Sequence, residues 1–319
     1  MALAFTFPGQ GSQTPGMGRD LAAAFPAARE VFEEVDETLR QKLSKLMFEG
    51  PAEDLMLTAN AQPALMAMSL AVLRVLKAEG GFDLPARVAL VAGHSLGEYS
   101  ALAAAGTFDV ATAARLLRAR GDAMQKATPP GTGAMAALLG AEIEQAREIC
   151  AAAAADPETG AREVVEVAND NGGGQIVVSG HAAAVDRAIE KAKEAGIKRA
   201  MKLPVSAPFH CALMAPAAEV MAAELERAAM RAPAVPVVAN VTAAKATDPA
   251  EIRDLLGRQV TGTVRWRECI LAMGAMGCDR FVEVGSGKVL TGLMKRLAPE
   301  AKAEAVGTPA DIEAFLKSL

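Results

Sequence analysis

Along most of the chain, short apolar runs of strand length alternate with longer stretches in which apolar residues recur at the spacing of one helix face. Leu3–Phe7 reads as the first strand, ended by Pro8. Arg19–Leu39 has the pattern of one or two amphipathic helices, with Pro26 at a break or a first turn. Pro51–Leu57 reads as a short helix. Pro63–Glu79 reads as a long one, apolar nearly all round and therefore expected inside the core, with Gln62 in its cap region. Val88–Ala92 is a second strand. Glu98–Ala105 and Val110–Lys126 read as helices, the latter carrying Arg115, Arg118 and Arg120.

Residues 128–133, Thr-Pro-Pro-Gly-Thr-Gly, interrupt this alternation and mark a boundary. Beyond them come a strand (Ala134–Leu139), a helix (Ala141–Ala155), two strands (Val164–Ala168 and Gln175–Ser179), a helix (His181–Ala195) and a strand (Lys198–Leu203). That β-α-β-β-α-β order is the ferredoxin-like one. It predicts a small insert, residues 131–200, in a larger α/β domain made of residues 1–130 and 201–319. After Pro204–Pro208 the larger domain resumes. A helix is expected at Met214–Met230, a strand at Pro236–Val241, helices at Glu251–Gln259 and Trp266–Met276, a strand at Arg280–Gly285 and a helix at Val289–Leu297.

Composition narrows the function classes. With 319 residues, 51% of them hydrophobic and 22% charged, the chain can bury a substantial core. A net charge of −5 and an aromatic content of 4% argue against nucleic acid as the main partner. None of the four cysteines (Cys150, Cys211, Cys269, Cys278) has C-x-x-C spacing, and there are three histidines, so no metal site is expected. Buried free thiols suit a reducing cytoplasm. The first residues lack the features of a signal peptide, and no uninterrupted apolar run of membrane-spanning length is read, so a cytoplasmic protein is expected. Gly9-Gln10-Gly11 lacks the third glycine of a dinucleotide fingerprint, and Gly285-Ser286-Gly287-Lys288 lacks the spacing of a P-loop.

The candidate chemistry lies at Gly93-His94-Ser95-Leu96-Gly97, between a strand and a helix. In that context G-x-S-x-G reads as a nucleophile elbow. The glycines at 93 and 97 remove side chains that would collide with strand or helix, Ser95 projects its hydroxyl, and the Leu96 amide faces any oxyanion formed there. The loop at Gln10 is either an ordinary connection or a second amide donor. A serine nucleophile needs a base. His94 adjoins the serine and should point away from it; His181 reads as a surface imidazole at a helix start. His210, in a proline-rich loop downstream, is the favoured base. No acidic partner for it stands out, and a backbone carbonyl is an alternative way to orient its ring.

Seven motifs at 8–13 (PGQGSQ), 61–65 (AQPAL), 93–102 (GHSLGEYSAL), 120–121 (RG), 169–180 (NDNGGGQIVVSG), 206–214 (SAPFHCALM) and 283–293 (EVGSGKVLTGL) resemble, in order and spacing, the malonyl-CoA:acyl carrier protein transacylase family of bacterial fatty-acid synthesis. The resemblance runs nearly end to end. It implies an α/β-hydrolase-like core with a parallel sheet and a ferredoxin-like insert. It also implies ping-pong transfer of malonyl from coenzyme A to the phosphopantetheine thiol of acyl carrier protein, with no cofactor and a monomeric enzyme. By matching motif, Ser95 is the nucleophile, His210 the base, the Gln10 and Leu96 amides the oxyanion hole, Arg120 the holder of the substrate carboxylate, and the Gln259 main-chain oxygen the group orienting His210. On helical spacing, Arg115 and Arg118 do not share the Arg120 face and are expected at the surface. Phe209 departs from the serine frequent at that position and leans toward malonyl over bulkier acyl groups. Other readings are a serine esterase or thioesterase on the same scaffold, or a catalytically inactive acyl-carrier-binding module.

Overall fold

The computed structural model describes residues 2–319. Two sheets organise it. The larger has the order β10-β9-β1-β2-β7-β8, built from β1 (Ala2–Phe7), β2 (Val88–Gly93), β7 (Val237–Val238), β8 (Lys245–Ala246), β9 (Cys278–Val284) and β10 (Lys302–Val306). Its strands are parallel except for the β7–β8 pair at one edge. Parallel strands are joined by helices that cover both faces, so their residues are apolar on both sides. On β1, Leu3, Phe5 and Phe7 join the main core, and Ala4 joins a second cluster with Leu90, Phe281 and Trp266 on the opposite face.

The smaller sheet is antiparallel, with the order β4-β5-β3-β6, from β3 (Gly133–Leu139), β4 (Val165–Asp170), β5 (Gln175–His181) and β6 (Arg199–Lys202). Ala136, Leu138, Val167, Ile176 and Val178 pack one of its faces on the helices Ile143–Ala153 and Ala182–Glu194. Met135 and Val177, pointing the other way by strand alternation, join the main core.

Several boundaries differ from the sequence expectation. Of the two readings open for Arg19–Leu39, the structure takes the two-helix one, Arg19–Ala24 and Pro26–Leu39, parted at Phe25 with Pro26 in the first turn, as expected. The long helix starts at Thr58, so Pro63 and Gln62 lie inside it and Gln62 is no cap. Packing outweighs the proline there. The first turn of this helix meets Gly121 on the helix Val110–Lys126 so closely that a Cβ at Gly121 would stand 2.6 Å from the Ala59 Cα. Thr58–Gly80 is also long and apolar enough, by length and composition, to cross a membrane, but Arg74 and Lys77 interrupt it and 78% of its most apolar window is buried, as in a core helix. The segment 298–319, for which the pattern made no prediction, forms β10 and the helix Pro309–Lys317, the latter held by a capping box between Thr308 and Asp311.

Candidate active site

Ser95 follows β2 at the carboxyl end of the large sheet, where open α/β sheets place their ligands. Its φ of 53° is left-handed, a strained state for a residue with a Cβ. The glycines on either side meet the need anticipated for them. A Cβ at Gly93 would lie 1.8 Å from the Gly97 carbonyl oxygen, and one at Gly97 would lie 2.3 Å from the Phe7 oxygen at the end of β1. The elbow is therefore folded tightly on itself and on the β1 loop that carries Gln10.

Asn240, in the segment after β7, clasps the turn: its Oδ1 accepts the Ser95 amide at 2.8 Å and its Nδ2 donates to the Gly93 carbonyl at 2.8 Å. The strand expected at Pro236–Val241 shrinks to Val237–Val238, and the Asn240 backbone amide donates to Glu98 Oε2 at 3.0 Å instead of to a ladder partner.

His210, also at positive φ (58°), brings Nε2 to 2.7 Å from Ser95 Oγ. Its Nδ1 lies 2.9 Å from the Gln259 carbonyl oxygen and 3.2 Å from that of Gly262. Carbonyls only accept, so Nδ1 carries the proton and Nε2 offers a lone pair to the serine hydroxyl. Burial, then the charge of Arg120, lowers the His210 pKa to about 3, so the ring is neutral at ordinary pH. A neutral imidazole held in that tautomer can take a proton from the serine.

Arg120 is 1% exposed. It donates to Gln62 Oε1 at 2.8 Å, Gln259 Oε1 at 2.9 Å and Ser95 Oγ at 3.2 Å, and its guanidinium lies over the Tyr99 ring. Its neighbours are neutral amides and no carboxylate pairs with it within 4 Å among the described residues, which leaves its charge free to meet an anion in the cavity. Arg115 is exposed as expected. Arg118 is not: it is half-buried and donates to Gln41, in the turn after the helix Pro26–Leu39, and to Asn60 on the helix Thr58–Gly80, polar side chains that the spacing argument ignored.

The cavity has a volume of about 550 Å³ and is lined by Gln10, Ser95, Arg120, Phe209, His210 and, from the small sheet, Met135 among others. Gln10 and Leu96 line the same cavity as Ser95, and neither backbone amide has a hydrogen-bond partner among the described residues. His94 turns away from the serine, as expected, and sets Nε2 2.8 Å from Asn171 Oδ1; burial lowers its pKa. His181 is half-buried, not a free surface ring, and its Nδ1 accepts the Val164 amide at 2.9 Å. Ser95, His210, Arg120, Gln259, Gln10 and Leu96 thus come together at one place. Gln62, a polar residue read as either structural or facing a site, joins them through Arg120. Asn240 and Glu98, which were not singled out for the site from the residues alone, join them through Ser95 and Gln259. An Asn in the apolar stretch Val237–Val241 was the available signal.

A family profile described as an acyl transferase domain matches residues 4–310. The chain is similar to the malonyl CoA-acyl carrier protein transacylases of Escherichia coli (strain K12), 47% identical with 98% of both chains covered, and of Bacillus subtilis (strain 168), 46% identical over 99% of this chain and 97% of the relative. Among solved structures it is similar to an acyl-carrier-protein-S-malonyltransferase from Bartonella henselae, with a TM-score of 0.95 and 55% identity over 100% of this chain and 99% of that one. A malonyl-transacylase solved in complex with its type II PKS acyl-carrier protein superimposes with a TM-score of 0.94 at 42% identity, both chains covered in full.

Proposed function

Since the chain belongs to the acyl transferase domain family, we propose that the Ser95 site is where it exchanges acyl thioesters. The protein is a malonyl-CoA:acyl carrier protein transacylase: it moves malonyl from coenzyme A to the phosphopantetheine thiol of acyl carrier protein. The observation that carries our assignment of residues is the Ser95–His210 pair at 2.7 Å with the histidine tautomer set by two carbonyls.

In our reading Ser95 Oγ attacks the malonyl thioester carbon while its proton passes to His210 Nε2. The Gln10 and Leu96 amides receive the oxyanion. The C–S bond breaks and coenzyme A leaves as its thiol with the proton from His210. The carrier-protein thiol then gives its proton to His210 and attacks the malonyl-serine ester, and Ser95 leaves with that proton. His210 cycles between neutral and protonated forms, Gln259 and Gly262 oxygens hold its ring, and no acidic triad member is needed. Arg120 offers two parallel donors to the free carboxylate of malonyl, which would be costly to bury unpaired. No cofactor takes part in this scheme, and a monomer in the cytoplasm supplying fatty-acid synthesis fits it. We read residues 131–200 as an insert whose sheet roofs the cavity, and 1–130 with 201–319 as the core; the separate apolar cluster of the smaller sheet supports this division.

The docking face for the acidic carrier protein belongs, in our reading, beside the cavity mouth on the helix Val289–Leu297 and its approach, where Lys288, Lys295 and Arg296 are exposed. The insert lysines are weaker candidates, because Lys193 and Lys202 are paired with Glu190 and Asp186.

Intact-mass and peptide mass spectrometry after mixing with malonyl-CoA tests the scheme. Malonyl mass is expected on the peptide bearing Ser95 and none on Ser95→Ala, whose fold should be intact because one partly exposed hydroxyl contributes little to stability. Label retained by Ser95→Ala sinks the assignment.

A further inference from the structure

The scheme above makes no use of a carboxylate at the centre of the molecule. Glu98, three residues beyond Ser95, is 1% exposed and does not line the cavity. Arg120, Tyr99 and Cys269 are the titratable or charged groups that face it. Burial pushes its carboxyl up to about 7, while hydrogen bonds from Asn240 and Gln259 draw it back down. A group this expensive to bury needs a structural return.

One oxygen collects the contacts. Glu98 Oε2 accepts the Asn240 amide at 3.0 Å and the Gln259 side-chain amide at 2.8 Å. The same Asn240 clasps the Ser95 amide through its Oδ1, and the same Gln259 side chain donates to the Ser95 carbonyl at 3.0 Å. The Gln259 main-chain oxygen accepts His210 Nδ1–H. From Glu98, therefore, one path of hydrogen bonds runs to the backbone of the serine and another to the ring of the histidine. The turn after β7 and the end of the helix Pro249–Gln259 lie 142 and 161 residues along the chain from Glu98 on the elbow helix Gly97–Ala104.

Resting on the roles given to Ser95 and His210, we propose that Glu98 is a positioning residue. Its Oε2 fastens the turn after β7 and the end of the helix Pro249–Gln259 to the elbow, and so sets how the serine hydroxyl meets the imidazole without touching the substrate. What it supplies is reach and an acceptor oxygen. An amide oxygen at the same distance can accept the same two hydrogen bonds, whereas a shorter carboxylate cannot reach both donors.

The test compares Glu98→Ala, Glu98→Asp and Glu98→Gln with wild type in quenched-flow measurements of malonyl-enzyme formation, beside His210→Ala. Displacing a reacting pair by an ångström costs on the order of a hundredfold, so Glu98→Ala and Glu98→Asp are expected to slow acylation by about that factor with the KM for malonyl-CoA unchanged. Glu98→Gln is expected to restore most of the loss. Thermal melting checks that each variant is folded, and Glu98→Asp carries the test where Glu98→Ala does not fold. Acylation by folded Glu98→Asp at the wild-type rate overturns the proposal. So does Glu98→Gln as slow as Glu98→Asp, or a loss lying wholly in KM. His210→Ala acylating at the wild-type rate would instead overturn the choice of base, which keeps the two failures distinct.

Discussion

The surroundings of Ser95 and the smaller sheet are both buried, but they are held together differently. The smaller sheet is an apolar arrangement: Leu138, Val167, Ile176 and Val178 pack on two helices that neighbour them in sequence, and its charged groups pair at the surface. Around Ser95 the buried side chains are largely polar and arrive from across the chain: Gln62, Arg120, His210, Asn240 and Gln259. Apolar packing is non-directional and forgives small shifts, whereas a hydrogen-bond network fixes atoms at set distances and is costly when one member is lost. One region supplies stability and a roof; the other supplies geometry.

The contrast is sharpest at His210. Its removal should slow acylation on the order of a thousandfold or more, judged from other serine–histidine pairs, with the loss in turnover rather than in substrate binding. Stopped-flow release of coenzyme A measures this. His94→Ala or His181→Ala as the crippling change, with His210→Ala mild, would mean that the wrong imidazole has been chosen.

A smaller effect is expected at Arg120. Arg120→Ala should weaken malonyl transfer by about 1.5–3 kcal/mol, the range for a hydrogen bond to a charged group. It should spare or improve acetyl transfer, because the unpaired cation that opposes a neutral acyl chain is gone. Competition between malonyl-CoA and acetyl-CoA reads the ratio directly, and an unchanged ratio removes Arg120 from the role.

Turnover should respond least to Leu138→Ala in the smaller sheet. Deleting a fully buried leucine side chain costs about 2–5 kcal/mol of stability, yet the folded fraction should acylate Ser95 at the wild-type rate. Urea titration with an acylation assay below the transition separates the two. A loss of turnover in folded protein would show that the roof shapes the site as closely as the polar network does.

The two regions also differ in how far pattern alone revealed them. The elements of the smaller sheet were legible because their order and alternation report local physics, and its strands were misplaced only at their ends. The elbow was legible for a related reason: glycine-serine-glycine between a strand and a helix is a local steric demand. Its supporting contacts were not. That Asn240 would meet Ser95, and Glu98 would meet Gln259, depends on loop closure over more than a hundred residues, which no periodicity records. Arg118 illustrates the same point, since spacing correctly separated it from the Arg120 face but could not reveal Gln41 and Asn60 waiting on other segments. The sequence left the partner of His210 open between an acid and a backbone carbonyl, because which carbonyl oxygens meet its ring depends on long-range packing.

The pH dependence of stability offers the finest probe of the polar region, because its two buried titrating groups act in opposite senses. The His210 pKa is lowered from 6.5 to about 3, so the unfolded chain binds a proton that the folded one refuses, and stability is lost as pH falls from 6.5 toward 3. The Glu98 pKa is raised from 4.5 to about 7, so the folded chain holds a proton that the unfolded one releases, and stability is lost as pH rises from 4.5 toward 7. Between pH 4.5 and 6.5 the two slopes oppose each other. Relative to wild type, Glu98→Gln should therefore gain stability as pH rises through that window, and His210→Gln should gain as it falls. Parallel melting curves for wild type and both variants would mean that neither side chain titrates with a shifted pKa.

The close approach at Gly121 has a consequence for how acyl preference can change. With no Cβ there, the helix bearing Arg120 lies against the helix bearing Gln62, and the guanidinium reaches Gln62 across that seam. The position of the cation in the pocket is therefore partly a property of the distance between two helix axes. A methyl group at residue 121 would act as a wedge, moving the charge relative to Ser95 while every side chain that meets the acyl group keeps its identity. Shifts in acyl choice between related enzymes, or in a laboratory selection, can accordingly arise from a residue hidden between helices, where an inspection confined to the pocket wall would never find it.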